Sequence, residues 1–92
     1  MREITLDLTP FVEKISLHSY LKEAFDFPFY YGANLDALHD ELASEVAPTR
    51  ITVQYPAHPQ GQMAAYMPRL LRVFRDCAQE NYHLEFVYEE IA

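Results

Sequence analysis

Three short stretches in which apolar and polar residues alternate are separated by stretches of helical period, and that order limits the possible folds more than any other feature of the chain. Ile4, Leu6 and Leu8 alternate with Glu3, Thr5 and Asp7, the pattern of a strand buried on one face, and Pro10 closes it. The run Ile51-Thr52-Val53-Gln54-Tyr55 repeats the pattern. Tyr82, Leu84, Phe86 and Tyr88, alternating with His83, Glu85 and Val87, predict a third strand. Two helices are predicted between the first two strands. Ser16 is placed to cap a helix through Phe25 whose apolar stripe is Leu17, Tyr20, Leu21 and Phe25, with Pro28 as its stop. Gly32 is expected to supply a permissive turn. Asn34 then caps a second helix with Leu35, Leu38, Leu42 and Val46 on its buried side. Pro48 ends that segment. Residues 56–61 read as a turn-rich loop and Gln62 to Tyr66 as a short helix. Pro68 fits the first turn of a longer helix. That helix should turn Leu70, Leu71, Phe74, Cys77 and Ala78 inward, and Arg69, Arg72, Arg75, Asp76 and Glu80 toward solvent.

Strands separated by helices pair in parallel through right-handed crossovers. The expected class is therefore α/β, a small three-stranded parallel sheet with helices packed against it, its strand order left open by the pattern. The 92 residues are expected to form one domain, 1–92, with little room for a second core. Half of them are hydrophobic and 14% are aromatic, enough to fill a core without metal or disulfide staples. The lone Cys77 excludes an internal disulfide and reads as a buried structural thiol. The N-terminus has no apolar signal core, and no apolar run approaches the roughly 18 residues of a membrane span. A soluble, cytoplasmic protein is expected.

Fourteen acidic residues against seven basic ones give a net charge of −7. Direct binding of nucleic acid is disfavoured, because phosphate neutralisation needs basic clusters. A basic protein partner is favoured, with charge steering the encounter. The acids concentrate after Asn34. Asp36 and Asp40, four apart, project from one face of the predicted helix. Glu41 and Glu45 follow, and no lysine or arginine occurs between residues 23 and 49 to relieve them. Asp36 also complements the helix dipole, a role worth ~0.3–1 kcal/mol that needs no partner. Asp40 lies too deep in the helix for that account. His39, between the two aspartates, is expected to be satisfied locally by one of them. A metal site from Asp36, His39 and Asp40 would take three ligands from one helix, poor geometry with nothing placed to complete it, and no cofactor is expected.

His18, His58 and His83 read as surface or core-edge residues. Tyr30 and Tyr31 are expected to pack under the helix, or to present one ring beside the acids. Arg69, Arg72 and Arg75 should solvate the last helix and pair with neighbouring acids. No glycine-rich phosphate loop, nucleophile elbow or metalloprotease helix is present, and the carboxylate pair lies on a convex face. The expectation is a binding protein, not an enzyme.

Pro28 and the run Tyr30-Tyr31-Gly32-x-Asn34-Leu35-Asp36-Ala37-Leu38-x-Asp40 resemble the barstar family, intracellular inhibitors of the ribonuclease barnase. Val73-Phe74-Arg75-Asp76 resembles the family's later helix, and the order strand–helix–helix–strand–helix–strand matches as well. The resemblance thus covers most of the chain. It implies an immunity protein of a toxin–antitoxin pair, monomeric when free, that plugs the guanine- and phosphate-binding cleft of a basic, barnase-type ribonuclease. The second helix and the loop before it would enter the cleft, with acids standing in for substrate phosphates. Residue by residue, Tyr30, Asp36 and Asp40 match family binding positions, with Asp40 the central anchor. Asn34, Ala43 and Ser44 accompany them on the same loop and helix. Asp76 is one methylene shorter than the glutamate the family implies. His39 and Glu45 occupy two positions that are tryptophan in barstar, which implies a cognate enzyme different from barnase at its rim. Glu41 and Glu45 point to a more basic partner surface there. Both barstar cysteines are missing, while Cys77 is new. The alternative is a regulatory or scaffolding module of the same fold that binds a non-nuclease protein, a reading the absent indoles support. A small carboxylate-dependent hydrolase is the third.

Overall fold

The computed structural model describes residues 1–92. In chain order its elements are β1 (Arg2–Asp7), α1 (Lys14–Phe25), α2 (Leu35–Ala43), β2 (Thr49–Pro56), α3 (Met63–Glu80) and β3 (Leu84–Ile91). The strands form one sheet in the order β1-β2-β3, with both pairs parallel. Register aligns Ile4, Ile51 and Phe86 in one row and Leu6, Val53 and Tyr88 in another. These rows meet the helices, and Leu6, Ile51 and Val53 are fully buried. The backbone amide of Leu8 bonds Gln54 at 2.8 Å, so the apolar alternation continues one residue past β1. On the other face Arg50 stands 3.7 Å from Glu3 and 3.1 Å from Glu85, and Gln54 donates to Glu89 at 3.2 Å.

Parallel sheets are usually covered on both faces. Here right-handed crossovers between strands in sequential order put every helix on one side, and polar rungs keep the open side soluble. The fold is α/β as expected. The core is one cluster in which Leu21, Leu38, Leu42, Leu70 and Phe74 of the helices meet the sheet. No helix is long and apolar enough to cross a membrane.

Local differences from the sequence expectations have identifiable causes. Ser16 is not the cap of α1. The helix begins at Lys14, and the Lys14 amide is satisfied at 2.8 Å by the side chain of Gln62, far along the chain. The Ser16 hydroxyl bonds the Glu13 carbonyl instead. The helix stops at Asp26, whose φ of 59° is left-handed. Its amide and that of Phe27 bond the carbonyls of Glu23 and Lys22, a Schellman ending two residues ahead of Pro28.

The turn before α2 takes its positive φ at Ala33, 53°, rather than at Gly32. Gly32 serves by size, since a Cβ there would lie 3.2 Å from the Ala37 Cβ. Residues 62–66 and the longer helix are one element, with Pro68 inside it. A proline there removes one backbone bond at ~3 kcal/mol. Met63, Tyr66, Met67, Leu70 and Leu71 are buried on either side of it, each contributing ~1.5–3 kcal/mol, so packing wins. Val46 lies beyond α2 and is exposed, and Tyr82 sits in the turn before β3, exposed, because the buried Asn81 anchors that turn.

Candidate partner-binding face

Asn34 starts α2 as the sequence suggests. Its backbone is extended and its side-chain oxygen accepts the Ala37 amide at 2.7 Å. Leu38 and Leu42 are buried, which sends Asp36 and Asp40 outward on the opposite face. The Asp40 carboxylate is 85% exposed, with no lysine or arginine paired to it and the His39 ring nitrogen Nδ1 at 3.8 Å. The remainder of the face is small: Ala43 is exposed, and the Ser44 hydroxyl folds back onto the carbonyls of Asp40 and Glu41 at 3.0 and 3.1 Å. No cation occupies the last turn of α2, where one would complement the dipole, so the acidic face is uncompensated by its own helix.

The preceding loop is held from beneath. Tyr31 is buried, and its hydroxyl is 2.7 Å from His18 Nδ1. The other ring nitrogen of His18 is 2.6 Å from the Tyr66 hydroxyl of α3. His18 is therefore a fully buried hub and not the surface or core-edge residue expected. Its spacing with Leu21 and Phe25 on α1 was the available signal, a histidine on an apolar stripe. Burial lowers the His18 pKa and raises those of Tyr31 and Tyr66, with the Arg69 charge partly opposing the rise at Tyr66. The trio stays uncharged near neutral pH. With Tyr31 fixed, Tyr30 is turned to solvent, 71% exposed. The pair thus splits as the sequence allowed, one ring packed and one presented.

Helix α3 lies beside α2 and adds to the acidic face. His39 bonds Glu80 at 2.8 Å, so its principal partner is an acid of the neighbouring helix and not the local aspartate expected. Asp76 is exposed. The Cys77 thiol is buried 3.9 Å from the His39 carbonyl, and burial together with Glu80 and Asp76 pushes its pKa up to about 12, so it is an inert core group. Asn81, which sequence reasoning missed, donates to the carbonyls of Leu42 at 3.0 Å and Glu45 at 2.8 Å. Its carbonyl oxygen accepts the His83 amide. It closes the C-terminal end of α2 from α3.

Glu45 is directed inward as well: one carboxylate oxygen accepts the amides of Val46 and Ala47 at 3.0 and 2.9 Å, and the other lies 3.9 Å from Arg2. The arginines of α3 differ from expectation. Arg69 lies over the Tyr66 ring at 5.7 Å and Arg75 over Tyr88 at 5.4 Å, in place of pairing with acids.

Asp36 borders a shallow cavity of about 280 Å³ at the start of α2, with Lys14, Tyr66 and Arg69 across it. A second, of about 250 Å³, lies between the end of β2 and α3, away from the acids. No three His, Cys, Asp or Glu side chains converge in a way that could hold a metal ion. The arrangement is suited to contact. Asp40 projects from a convex surface, an exposed tyrosine precedes it, and Asp76 and Glu80 extend the charge onto the next helix.

The fold and this face define a class: a two-layer α/β domain with one bare sheet face and an acidic, convex helix on the other side. Residues 1–89 match the family described as Barstar (barnase inhibitor), and the chain belongs to that family. It is 37% identical over 87 residues to the protein described as "Putative ribonuclease inhibitor YrdF" of Bacillus subtilis (strain 168), with 94% of each chain covered.

Proposed function

We propose that this protein inhibits a basic ribonuclease of the barnase type by presenting α2 and the loop before it to the enzyme's phosphate-binding cleft. The observation that carries the reading is Asp40, a carboxylate 85% exposed at the middle of a convex helix, in a chain of the barstar family. A bare carboxylate on a rigid helix can replace a substrate phosphate among the cationic groups of a nuclease. Asp36 and Asp76 widen that charge, Tyr30 lies against the cleft wall, and Asn34, Ala43 and Ser44 allow close approach. His39 and Glu45 act mainly within the chain, the first bonded to Glu80 and the second to the turn after α2. No catalysis or cofactor is part of this role. The protein acts as a cytoplasmic immunity partner, blocking the toxin where both are made. Titration into a panel of barnase-type ribonucleases, with residual RNA cleavage as the readout, tests it. Stoichiometric inhibition that disappears in Asp40→Ala is expected. The absence of inhibition by folded protein across the panel would refute the reading.

The second reading, a regulatory module for a non-nuclease protein, is favoured by one observation. The two positions at which the barstar resemblance calls for indoles hold side chains already engaged internally.

A further inference from the structure

The two most exposed large hydrophobic side chains of the molecule bracket the acidic helix. Phe29 is 88% exposed ahead of α2, and Tyr82 is 90% exposed beside its other end. Neither hangs on a loose segment. Phe29 meets Tyr30 edge-on, with centroids 5.5 Å apart. The loop beneath them is pinned by Phe27, stacked on Phe25 at 5.2 Å and tilted against Tyr31 at 4.8 Å, and by the Tyr31 amide bonded to the Pro28 carbonyl. Tyr82 follows Asn81, whose side chain is bonded to the last carbonyls of α2, and its ring lies on His83 at 4.3 Å. Val46, also exposed, adjoins that end of the helix. Aromatic side chains held this way give large contact area with little ordering entropy on binding, and binding energy at interfaces concentrates in such anchors.

Asp36 and Asp40 lie on the α2 segment between the loop that carries Phe29 and the end that Asn81, next to Tyr82, holds. Asp76 and Glu80 are on the neighbouring α3. A second copy of the chain is a poor occupant, because like charges would meet in a protein of net charge −7. A nucleic acid or anionic membrane is repelled for the same reason. A basic cleft whose two rims carry apolar hollows fits. His39 and Glu45, engaged within the chain, offer no large apolar contact of their own, whereas Phe29 and Tyr82 are free to do so.

We propose that Phe29 and Tyr82 are the apolar anchors that seat the protein on the two rims of its partner's basic cleft, one on either side of Asp40. This rests on the inhibitor reading above. The test measures association and dissociation rates on a panel of barnase-type ribonucleases for the wild type, Phe29→Ala, Tyr82→Ala, the double variant and Asp40→Ala. Val87→Ala, on the open sheet face, is the control. Each ring removal should speed dissociation by roughly tenfold or more, with the salt dependence of association unchanged. The double variant should approach the product of the two effects, since the sites are far apart. Tyr82→Phe should bind as the wild type does, and the Phe29→Ala effect should persist in a Tyr30→Ala background. Matching thermal midpoints exclude misfolding. Ring variants within twofold of wild type, beside an Asp40→Ala that loses binding, would overturn the anchors and leave the inhibitor reading intact. An effect at one end alone would overturn the two-sided arrangement. An enzyme panel that the wild type does not bind would overturn both.

Discussion

Asp40 gains little from the folded chain, since no lysine or arginine pairs with its carboxylate and the His39 ring beside it is 3.8 Å away, so Asp40→Ala should leave the unfolding midpoint unchanged. On the inhibitor reading, its effect is expected in the complex. Removing one partner of a desolvated charge pair weakens binding by ~2–5 kcal/mol, a range whose type case is the barnase–barstar pair itself and which is carried here by family membership. A dissociation constant within a factor of three of wild type would exclude Asp40 as the anchor. His18 is the opposite case, a residue whose effect is on stability. Burial lowers its pKa below 6.5, so in that range the unfolded chain binds more protons than the folded one. Stability from this group is therefore complete above about pH 6.5 and declines as pH falls toward the folded-state pKa. Denaturation midpoints of the wild type and His18→Gln, followed downward from pH 7.5, should converge as the pH drops, and parallel curves would remove the argument. These residues also mark what a sequence can disclose. The four-residue spacing of Asp36 and Asp40 is local and was readable. The partner of His39 is 41 positions away in Glu80, and the burial of His18 depends on Tyr66, 48 positions away.

Among the elements, strands and helices were legible wherever periodicity alone decides, which is why β2, β3 and the apolar stripes of α1 and α3 lie close to where the pattern places them. The Asn34 cap of α2, closed locally on the Ala37 amide, was legible too. The start of α1 and the end of α2 were not, because each is completed by a distant group. Gln62 stands in for the cap of α1, and its own amide bonds the Val12 carbonyl at 2.9 Å. That close approach requires Gly61, with φ of 59° and a Cβ position only 2.8 Å from the Val12 oxygen. Gly61→Ala should therefore destabilise by roughly 1–3 kcal/mol through left-handed strain alone, with further loss from the clash, and calorimetry would register a lower midpoint. An unchanged midpoint would mean that the junction relaxes freely. Asn81 is the corresponding device at the other end of the helical layer. Replacing it by alanine removes the donor of the Glu45 carbonyl and one of two donors of the Leu42 carbonyl, which keeps the Glu45 amide at 3.3 Å. It also frees the His83 amide, at about 1–3 kcal/mol for a buried group left unpaired. A loss of roughly 2–4 kcal/mol in urea denaturation at unchanged slope is expected. A change under ~0.5 kcal/mol would show that water replaces the amide at no cost. Since Asn81 also sets the end of α2, the same variant should weaken partner binding more than its exposed neighbour Gln79→Ala does.

Across the whole molecule, the seven cationic side chains are placed so that none answers Asp36 or Asp40 by direct pairing. Arg50 is held between two glutamates on the open sheet face. Arg2 bonds the Phe25 carbonyl near Glu45. Lys14 and Arg69 share the Tyr66 ring at 5.0 and 5.7 Å, and Arg75 covers Tyr88. The open sheet face carries acids too, Glu3 and Glu85 around Arg50 and Glu89 beside Gln54, so the net charge of −7 is spread over the molecule. Asp36 and Asp40 are its carboxylates on α2 that no lysine or arginine pairs, and a basic partner would sense that field before contact. Electrostatic steering of this kind acts on the encounter, while the rings and bonded carboxylates act on the lifetime of the complex. The screening length falls from ~10 Å at 0.1 M salt to ~3 Å at 1 M. Raising salt over that range should therefore slow association with a barnase-type ribonuclease by roughly tenfold or more and alter dissociation far less. Stopped-flow association and chase-dissociation experiments on the same salt series separate the two rates. If dissociation carried the larger salt dependence, the acids would be acting as contacts formed only after docking, and the field of the molecule as a whole would have no part in finding its partner.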